Sequence, residues 1–313
     1  MSQGAEIRRA AALLQAGGLV AFPTETVYGL GADASSAEAV ARLYRVKGRP
    51  ADHPVIVHFA RADEAFTWAL EVPETARILA REFWPGPLTL ILKRSGKAGD
   101  WVTGGQPSVG LRVPSHPVAR GLLEAFGGGV AAPSANRFGH VSPTSGAHVR
   151  ADLGAEVDLL LDGAPSEVGI ESTIVDVTSG TPVVLRPGAV TREAIEERLK
   201  QKVKAKGADA PRHSGGLERH YAPRTPAQLV PTHALDREIA RHGAAVAVLA
   251  FSRPDERVDF WLRMPRDPAT YAQKLYAALR ELDSAGCSRI LIEAPPESSD
   301  WTAVRDRLMR ACA

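Results

Sequence analysis

Apolar residues along the first 200 positions alternate between two spacings. Residues 5–16 carry the rhythm of a short amphipathic helix, and residues 19–22 read as a buried strand. Residues 36–46 then place Ala39, Val40, Leu43 and Tyr44 on one helical face, which Gly48 and Pro50 terminate. Strand patterns follow at 55–59, 88–93, 109–113, 130–132, 159–161, 173–177 and 183–186, with helical stretches near 74–83, 117–126 and 191–200. So many strands with so few helices predict a twisted, mixed α/β sheet.

Residues 201–226 change character. Lys and Gly alternate, and Pro211-Arg212-His213-Ser214-Gly215-Gly216 has no periodicity, so this stretch reads as a linker. Beyond it, 245–251 and 289–293 read as buried strands, and 268–284 and 301–311 as helices. That alternation predicts a small Rossmann-like α/β domain. The expected organisation of the 313 residues is a catalytic domain at 1–203, a linker at 204–226 and a second domain at 227–313.

Composition is that of a globular protein, 44% hydrophobic and 24% charged. The net charge of +2 excludes a global field that would draw the chain onto nucleic acid or an anionic membrane. The first 200 residues hold 20 basic and 22 acidic side chains, the rest 18 and 14, so the positive excess is C-terminal and concentrated in the linker. Cys287 and Cys312 are too few for a disulfide framework or a cysteine metal site, which points to a reducing, cytoplasmic setting. No apolar run reaches about 18 residues, so no membrane span is expected.

Gly29-Leu30-Gly31-Ala32-Asp33-Ala34 fits G-x-G-x-x-A, yet five residues separate it from the strand that should feed the turn, so a dinucleotide fold is rejected. A G-x-x-x-x-G-K-S/T loop is absent. Phosphates, if bound, must be held by cations and scattered amides. Lys47-Gly48-Arg49-Pro50 offers two cations on one rigid turn, although the same residues suit a solvated helix C-terminus. Pro133-Ser134-Ala135-Asn136 and Ser142-Pro143-Thr144 lie beyond a strand end, where hydroxyl and amide groups meet ligands or simply cap helices. Thr24-Glu25-Thr26 and Glu171-Ser172-Thr173 are polar clusters of the same ambiguous kind. Arg112 and Arg186 are sharper signals. A guanidinium in an apolar strand needs a carboxylate, phosphate or carbonyl cluster, and an internal salt bridge answers as well as a ligand. His53 and His58 lack metal-ligand spacing and read as hydrogen-bonding groups. His220-Tyr221, between Arg219 and Arg224, suggests a cap over a site.

In order along the chain stand Pro23-Thr-Glu-Thr-Val-Tyr-Gly-Leu-Gly31, Lys47-Gly-Arg-Pro50, His53-Pro-Val-Ile-Val-His58, Pro133-Ser-Ala-Asn136, Ser142-Pro-Thr144, Glu171-Ser-Thr-Ile-Val-Asp176 and Leu185-Arg-Pro-Gly188. The series resembles the YrdC/TsaC-type L-threonylcarbamoyladenylate synthases in their long, two-domain form. The resemblance implies a large twisted mixed-sheet YrdC-like domain with a positively charged concave face, joined to the small Rossmann-like domain. It further implies that ATP with Mg²⁺, L-threonine and bicarbonate give L-threonylcarbamoyl-AMP, pyrophosphate and water, without an organic cofactor. The product would pass to a tRNA threonylcarbamoyl-transferase complex that modifies the adenosine beside the anticodon. Matched by motif, Thr26, His58, Arg112, Ser172 and the backbone of Ala132 would hold L-threonine. Lys47, Arg49, His53, Ser108, Ser134, Asn136, Ser142, Arg186 and Tyr221 would hold ATP or the adenylate, with Lys47 and Arg49 as the catalytic pair. His220 and Tyr221 would belong to a lid. No metal ligand is assigned among the side chains.

Attack of a threonine carbamate on the α-phosphorus needs positioning and neutralised charge more than a protein nucleophile. Two other readings remain at this level: an RNA-binding module using the basic linker, and a carbamoyl-adenylate enzyme with another acceptor. The family's linker usually reads Ser-Pro-Gly before its His-Tyr pair, so Ser214-Gly215-Gly216 predicts a floppier lid whose closure costs more entropy.

Overall fold

The computed structural model describes residues 2–207, 211–243 and 245–313. Its chain divides into two compact units. The first comprises residues up to Phe138, Pro143–Glu167 and Glu171–Gly216; the second comprises Gly139–Ser142, Val168–Ile170 and Leu217–Ala313.

In the first unit, helices α1 (Gln3–Gln15), α2 (Ala37–Lys47), α3 (Ala62–Phe66), α4 (Glu74–Phe83), α5 (Asp100–Thr103), α6 (Pro117–Phe126), α7 (Gly146–Leu153) and α8 (Arg192–Leu199) accompany strands β1 (Val20–Phe22), β2 (Gly29–Asp33), β3 (Ile56–His58), β4 (Leu88–Lys93), β5 (Ser108–Arg112), β6 (Val130–Ala131), β7 (Leu159–Leu160), β8 (Thr173–Asp176), β9 (Val183–Arg186) and β10 (Lys204–Ala205). Among the described residues these strands form one mixed sheet in the order β10-β9-β8-β4-β5-β3-β6-β2-β1-β7. The glycines of residues 29–34 lie in β2, antiparallel to β1, so the rejected dinucleotide turn is indeed a strand.

Strand periodicity gives the sheet two different faces. Val57, Leu88, Leu90, Leu92, Val109, Leu111, Ala131 and Val175 point into the main core, which includes Val40 and Leu43 of α2 and Leu79 of α4. The intervening positions face the other way, because Ile56 pairs with Gly110, His58 with Arg112, and Thr89 with Ile174. Toward β1 and β6 this second face is covered by α1 and α6, through Leu14, Val118, Leu122, Val20 and Val130. Toward β3, β5, β4, β8 and β9 it carries a small apolar patch of Ile56, Ile91, Ile174 and Leu185. The remaining positions there are polar or charged.

The second unit has a parallel sheet in the order β11-β14-β12-β13, from β11 (Ala227–Val230), β12 (Val246–Ala250), β13 (Phe260–Arg263) and β14 (Arg289–Glu293). Helices α9 (Leu235–His242), α10 (Pro268–Asp283) and α11 (Thr302–Ala311) accompany it. β12 is buried throughout, as a central parallel strand requires. β11, α9 and β13 went unread in the sequence, where each is short and half-exposed.

The linear boundaries differ from those drawn on the sequence. Residues 204–226 are not a single tether: Lys204–Ala205 pair with β9, residues 211–216 belong to the first unit, and 217–226 to the second. Residues 208–210 of that stretch lie outside the described residues.

In the second unit Glu293, buried at the end of β14, accepts Thr232 Oγ1 at 2.8 Å and the Phe251 amide at 2.7 Å, joining the segments that follow β11 and β12. Glu293→Ala strands the buried amide of Phe251 and releases the hydroxyl of the exposed Thr232. It should cost about 1–3 kcal/mol in urea unfolding of the whole chain, whereas Glu293→Gln, which keeps an acceptor, should cost less.

Candidate active site

Helix α2 delivers the first cation. Ser36 caps its start by accepting the Ala39 amide, and Gly48 at φ 65° closes it in the left-handed conformation. Lys47, in its last turn, is only 2% exposed and donates Nζ to the carbonyls of Ser134 and Asn136, each at 2.5 Å. Burial, and then the charge of Arg49, hold its ammonium well below the ordinary lysine range, with Asp152 opposing. This corrects the picture of two cations projecting from a turn, and equally that of a solvated helix end. Arg49 is also buried: Nη2 donates to Pro54 O at 2.6 Å, and the guanidinium lies 5.6 Å from the Phe138 ring centroid. The ring of His53 meets Phe138 edge-on at 5.4 Å.

Arg186 supplies a further cation from the end of β9. Its Nε donates to Ser172 O at 3.0 Å, its Nη2 to Ser172 Oγ at 3.1 Å and its Nη1 to Ser214 O at 3.0 Å. Thr89 Oγ1 completes the cluster 2.8 Å from Ser172 Oγ. Residues 211–216 therefore lie as a strap on this face. Ser214 Oγ donates to Pro54 O at 3.1 Å, and Arg212 exchanges backbone hydrogen bonds with the Gln106 side chain at 2.8 and 2.9 Å. Beneath the strap, Ile56, Gly110 and Ile174 line the same small cavity as Arg212, His213 and Ser214. The strap contains a closed turn. Gly215 takes φ 76°, which a proline ring forbids, and Gly216 N closes the turn on His213 O at 3.1 Å.

A second cluster surrounds Arg112 in β5. Its Nη2 pairs with Glu25 Oε1 at 2.5 Å and its Nε donates to Gly86 O at 3.3 Å. Nη1 makes no hydrogen bond among the described residues. Burial raises the Glu25 carboxyl, but the charge and hydrogen bond of Arg112, with the Ser115 amide, outweigh it and leave it below the ordinary carboxylate range. His58, opposite Arg112 in the register, is 3% exposed, and its Nδ1 has no partner among the described residues. Burial and then the Arg112 charge push its imidazole down to about 3, so it is neutral at physiological pH. Thr26 is buried beside Thr24, Oγ1 to Oγ1 at 2.8 Å.

The first unit thus brings together Lys47, Arg49, His53, Ser134, Asn136, Ser172 and Arg186 through shared partners, and His58 with Arg112 across one strand pair. Ser108 begins β5 on the same side as Arg112. The amide of Ala132 donates to Ile56 O at 3.1 Å. Ser142, His220 and Tyr221 belong to the second unit. Sequence reasoning missed Glu25 as the partner of Arg112, and missed Thr89, whose signal was one hydroxyl in the apolar run Leu88–Lys93. It placed Ser214 in the lid but did not pair it with Arg186. No group of three or more His, Cys, Asp or Glu side chains able to hold a metal occurs among the described residues, and no helix among them is long and apolar enough to cross a membrane.

Stability should fall in acid because of His58. Its folded value lies below its unfolded value of 6.5, so the unfolded chain takes up the proton first, and stability is lost as pH drops from about 6.5 toward 3. Glu25 adds to the loss only below the carboxylate range. Chemical denaturation at pH 7 and pH 5 should differ by about 2 kcal/mol more in the native chain than in His58→Asn. Equal pH dependence in both would show that His58 titrates normally.

The model of a family described as "Telomere recombination", covering Sua5, YciO and YrdC proteins, matches residues 12–188. One described as the C-terminal domain of threonylcarbamoyl-AMP synthase matches residues 190–313. Threonylcarbamoyl-AMP synthases of Pyrococcus abyssi and Bacillus subtilis are 40% and 38% identical, each over 98% of this chain and over 94% and 92% of their own lengths. The crystal structure of P. abyssi Sua5 complexed with L-threonine superposes with a TM-score of 0.92 at 37% identity, covering 99% of this chain and 94% of that one. The chain belongs to the threonylcarbamoyl-AMP synthase family, in its long form with both domains.

Proposed function

We infer that the chain joins L-threonine, bicarbonate and ATP into L-threonylcarbamoyl-AMP, releasing pyrophosphate and water, as the supplier of the threonylcarbamoyl group for tRNA adenosine. The observation that carries this reading is the set of buried cations, Lys47, Arg49 and Arg186, held on carbonyl and hydroxyl oxygens within the first unit. Such oxygens hold the cations in place, and an anion entering the site adds a charge-assisted partner that favours the charged form of Lys47. In this reading, which kinship with threonylcarbamoyl-AMP synthases supports, the anions are triphosphate and carbamate.

In this reading Arg112, fixed on one side by Glu25, offers Nη1 to the threonine carboxylate. Thr26, Ser172, His58 Nδ1 and the carbonyl of Ala132 surround the rest of the amino acid. The neutral amine attacks the carbon of bicarbonate or of carbon dioxide derived from it, losing a proton and giving a carbamate, with hydroxide leaving as water where bicarbonate reacts directly. One carbamate oxygen then attacks the α-phosphorus. The bond to the bridging oxygen breaks, and pyrophosphate leaves with that electron pair. Lys47, Arg49 and Arg186 neutralise the phosphates, while Ser108, Ser134, Asn136, Ser142, His53 and Tyr221 orient the nucleotide. ATP enters as its magnesium complex, the ion carried on the phosphates. Strap 211–216 then acts as a lid over a hydrolysable product, Ser214 giving up the guanidinium of Arg186 as the phosphates arrive. Transfer to tRNA falls to a separate transferase, and the cytoplasm is the natural compartment for the reaction.

Pyrophosphate release from magnesium ATP and bicarbonate should require L-threonine and be weak with L-serine, with the threonylcarbamoyl adenylate seen by mass spectrometry. Release indifferent to the amino acid would point to another acceptor. Arg49→Ala should lower threonine-dependent release at least about a hundredfold while leaving the unfolding midpoint nearly unchanged. Full turnover in that folded variant would remove Arg49 from the site.

A further inference from the structure

Residues 217–222 follow directly on strap 211–216 and belong to the second unit. Helix α11 grips them at three points. Arg310 donates Nη1 to Leu217 O, and its own carbonyl accepts His220 N at 3.1 Å. Arg307, with no exposed surface, sets its guanidinium carbon 5.2 Å from the centroid of the Tyr221 ring. Asp306 ties the two arginines together, accepting Arg307 Nη1 at 2.9 Å and Arg310 Nε at 3.2 Å. From α10, Tyr276 stacks on the Tyr221 ring at 5.8 Å with an interplanar angle of 29°.

Tyr221 needs this grip. Its φ of 61° is in the left-handed region, which a residue with a Cβ adopts at a cost and keeps only where its surroundings over-determine it. Filling space does not explain Arg307, because a methionine or leucine would fill the same volume without desolvating a charge. A cation over a ring adds a directional attraction to the ring face that an apolar side chain lacks.

We propose that Arg307 is a positioning residue for adenylate formation: clamped by Asp306, it fixes the Tyr221 ring in the orientation in which Tyr221 meets the nucleotide. The proposal rests on the reading that Tyr221 contacts ATP or the adenylate. It gives the C-terminal unit a defined part in the reaction, as the holder of a residue that acts on substrate.

The test is a double-mutant cycle on the full chain, with steady-state kinetics for magnesium ATP and L-threonine and an unfolding midpoint for each variant. Arg307→Met should raise KM for ATP about tenfold and leave KM for L-threonine within about twofold. Tyr221→Ala should produce a similar defect, and adding Arg307→Met to it should cost nothing further. Arg307→Lys, which keeps a cation over the ring, should recover part of the loss, and it carries the test should the Met variant not fold. Wild-type kinetics in a folded Arg307→Met, or an equal loss with and without Tyr221, would overturn the proposal. Full activity of Tyr221→Ala would overturn the underlying reading of Tyr221 instead.

Discussion

Withdrawing cations from water is the constraint on which the site depends. Lys47, Arg49, Arg112 and Arg186 are all buried, and an isolated buried charge is prohibitively costly. The strands meet the cost by dividing their residues between two faces. Leucines and valines on one side build the core that makes the sheet stable, which frees Ser108, Arg112, His58 and Thr89 on the other. The cations then take two kinds of partner. Arg112 has a carboxylate, so it is nearly neutral as a pair and directional at its open edge. Lys47 and Arg186 donate to carbonyls and a hydroxyl. The two clusters therefore differ in the kind of partner that satisfies their cations.

The strap exploits the second kind of partner. A carbonyl such as that of Ser214 is a weak competitor for a guanidinium beside a phosphate oxygen, because charge-assisted bonds are roughly twice as strong as neutral ones. Ser214 can therefore occupy Arg186 without blocking it. The left-handed Gly215 gives the strap a turn that a proline at that position would not permit.

Much of this was legible in the sequence. Strands at 88–93 and 183–186, and helices at 74–83 and 117–126, match to the residue, since long apolar periods and Pro or Gly stops leave little choice. Arg112 and Arg186 were found because a guanidinium in an apolar strand breaks the pattern. Their partners were not. Glu25 lies 87 residues from Arg112 and Ser214 lies 28 from Arg186, and a single sequence carries no signal for such pairings. The burial of Lys47 was hidden for the same reason, since a lysine in the last turn of a helix looks identical whether it meets solvent or the carbonyls of Ser134 and Asn136. Strand β2 was missed because its glycines, small enough for Phe22 and Val130 to pack against Gly31, mimic a turn signature.

The two units do not divide the chain at a single point. Ser142 and Pro143 are adjacent, yet Pro143 O accepts the Tyr28 amide within the first unit while Ser142 goes with the second. There, Ala222 N donates to Gly139 O at 2.9 Å and Arg280 Nη2 donates to Val141 O, so α10 and the segment around Tyr221 hold the loop that ends in Ser142. Both residues that the family resemblance assigns to the nucleotide from outside the first unit are therefore gripped by helices of the second. The second sheet has no glycine-rich phosphate loop after any of its strands. Within the second unit, then, helices rather than a phosphate loop fix the backbone segments that carry Ser142 and Tyr221.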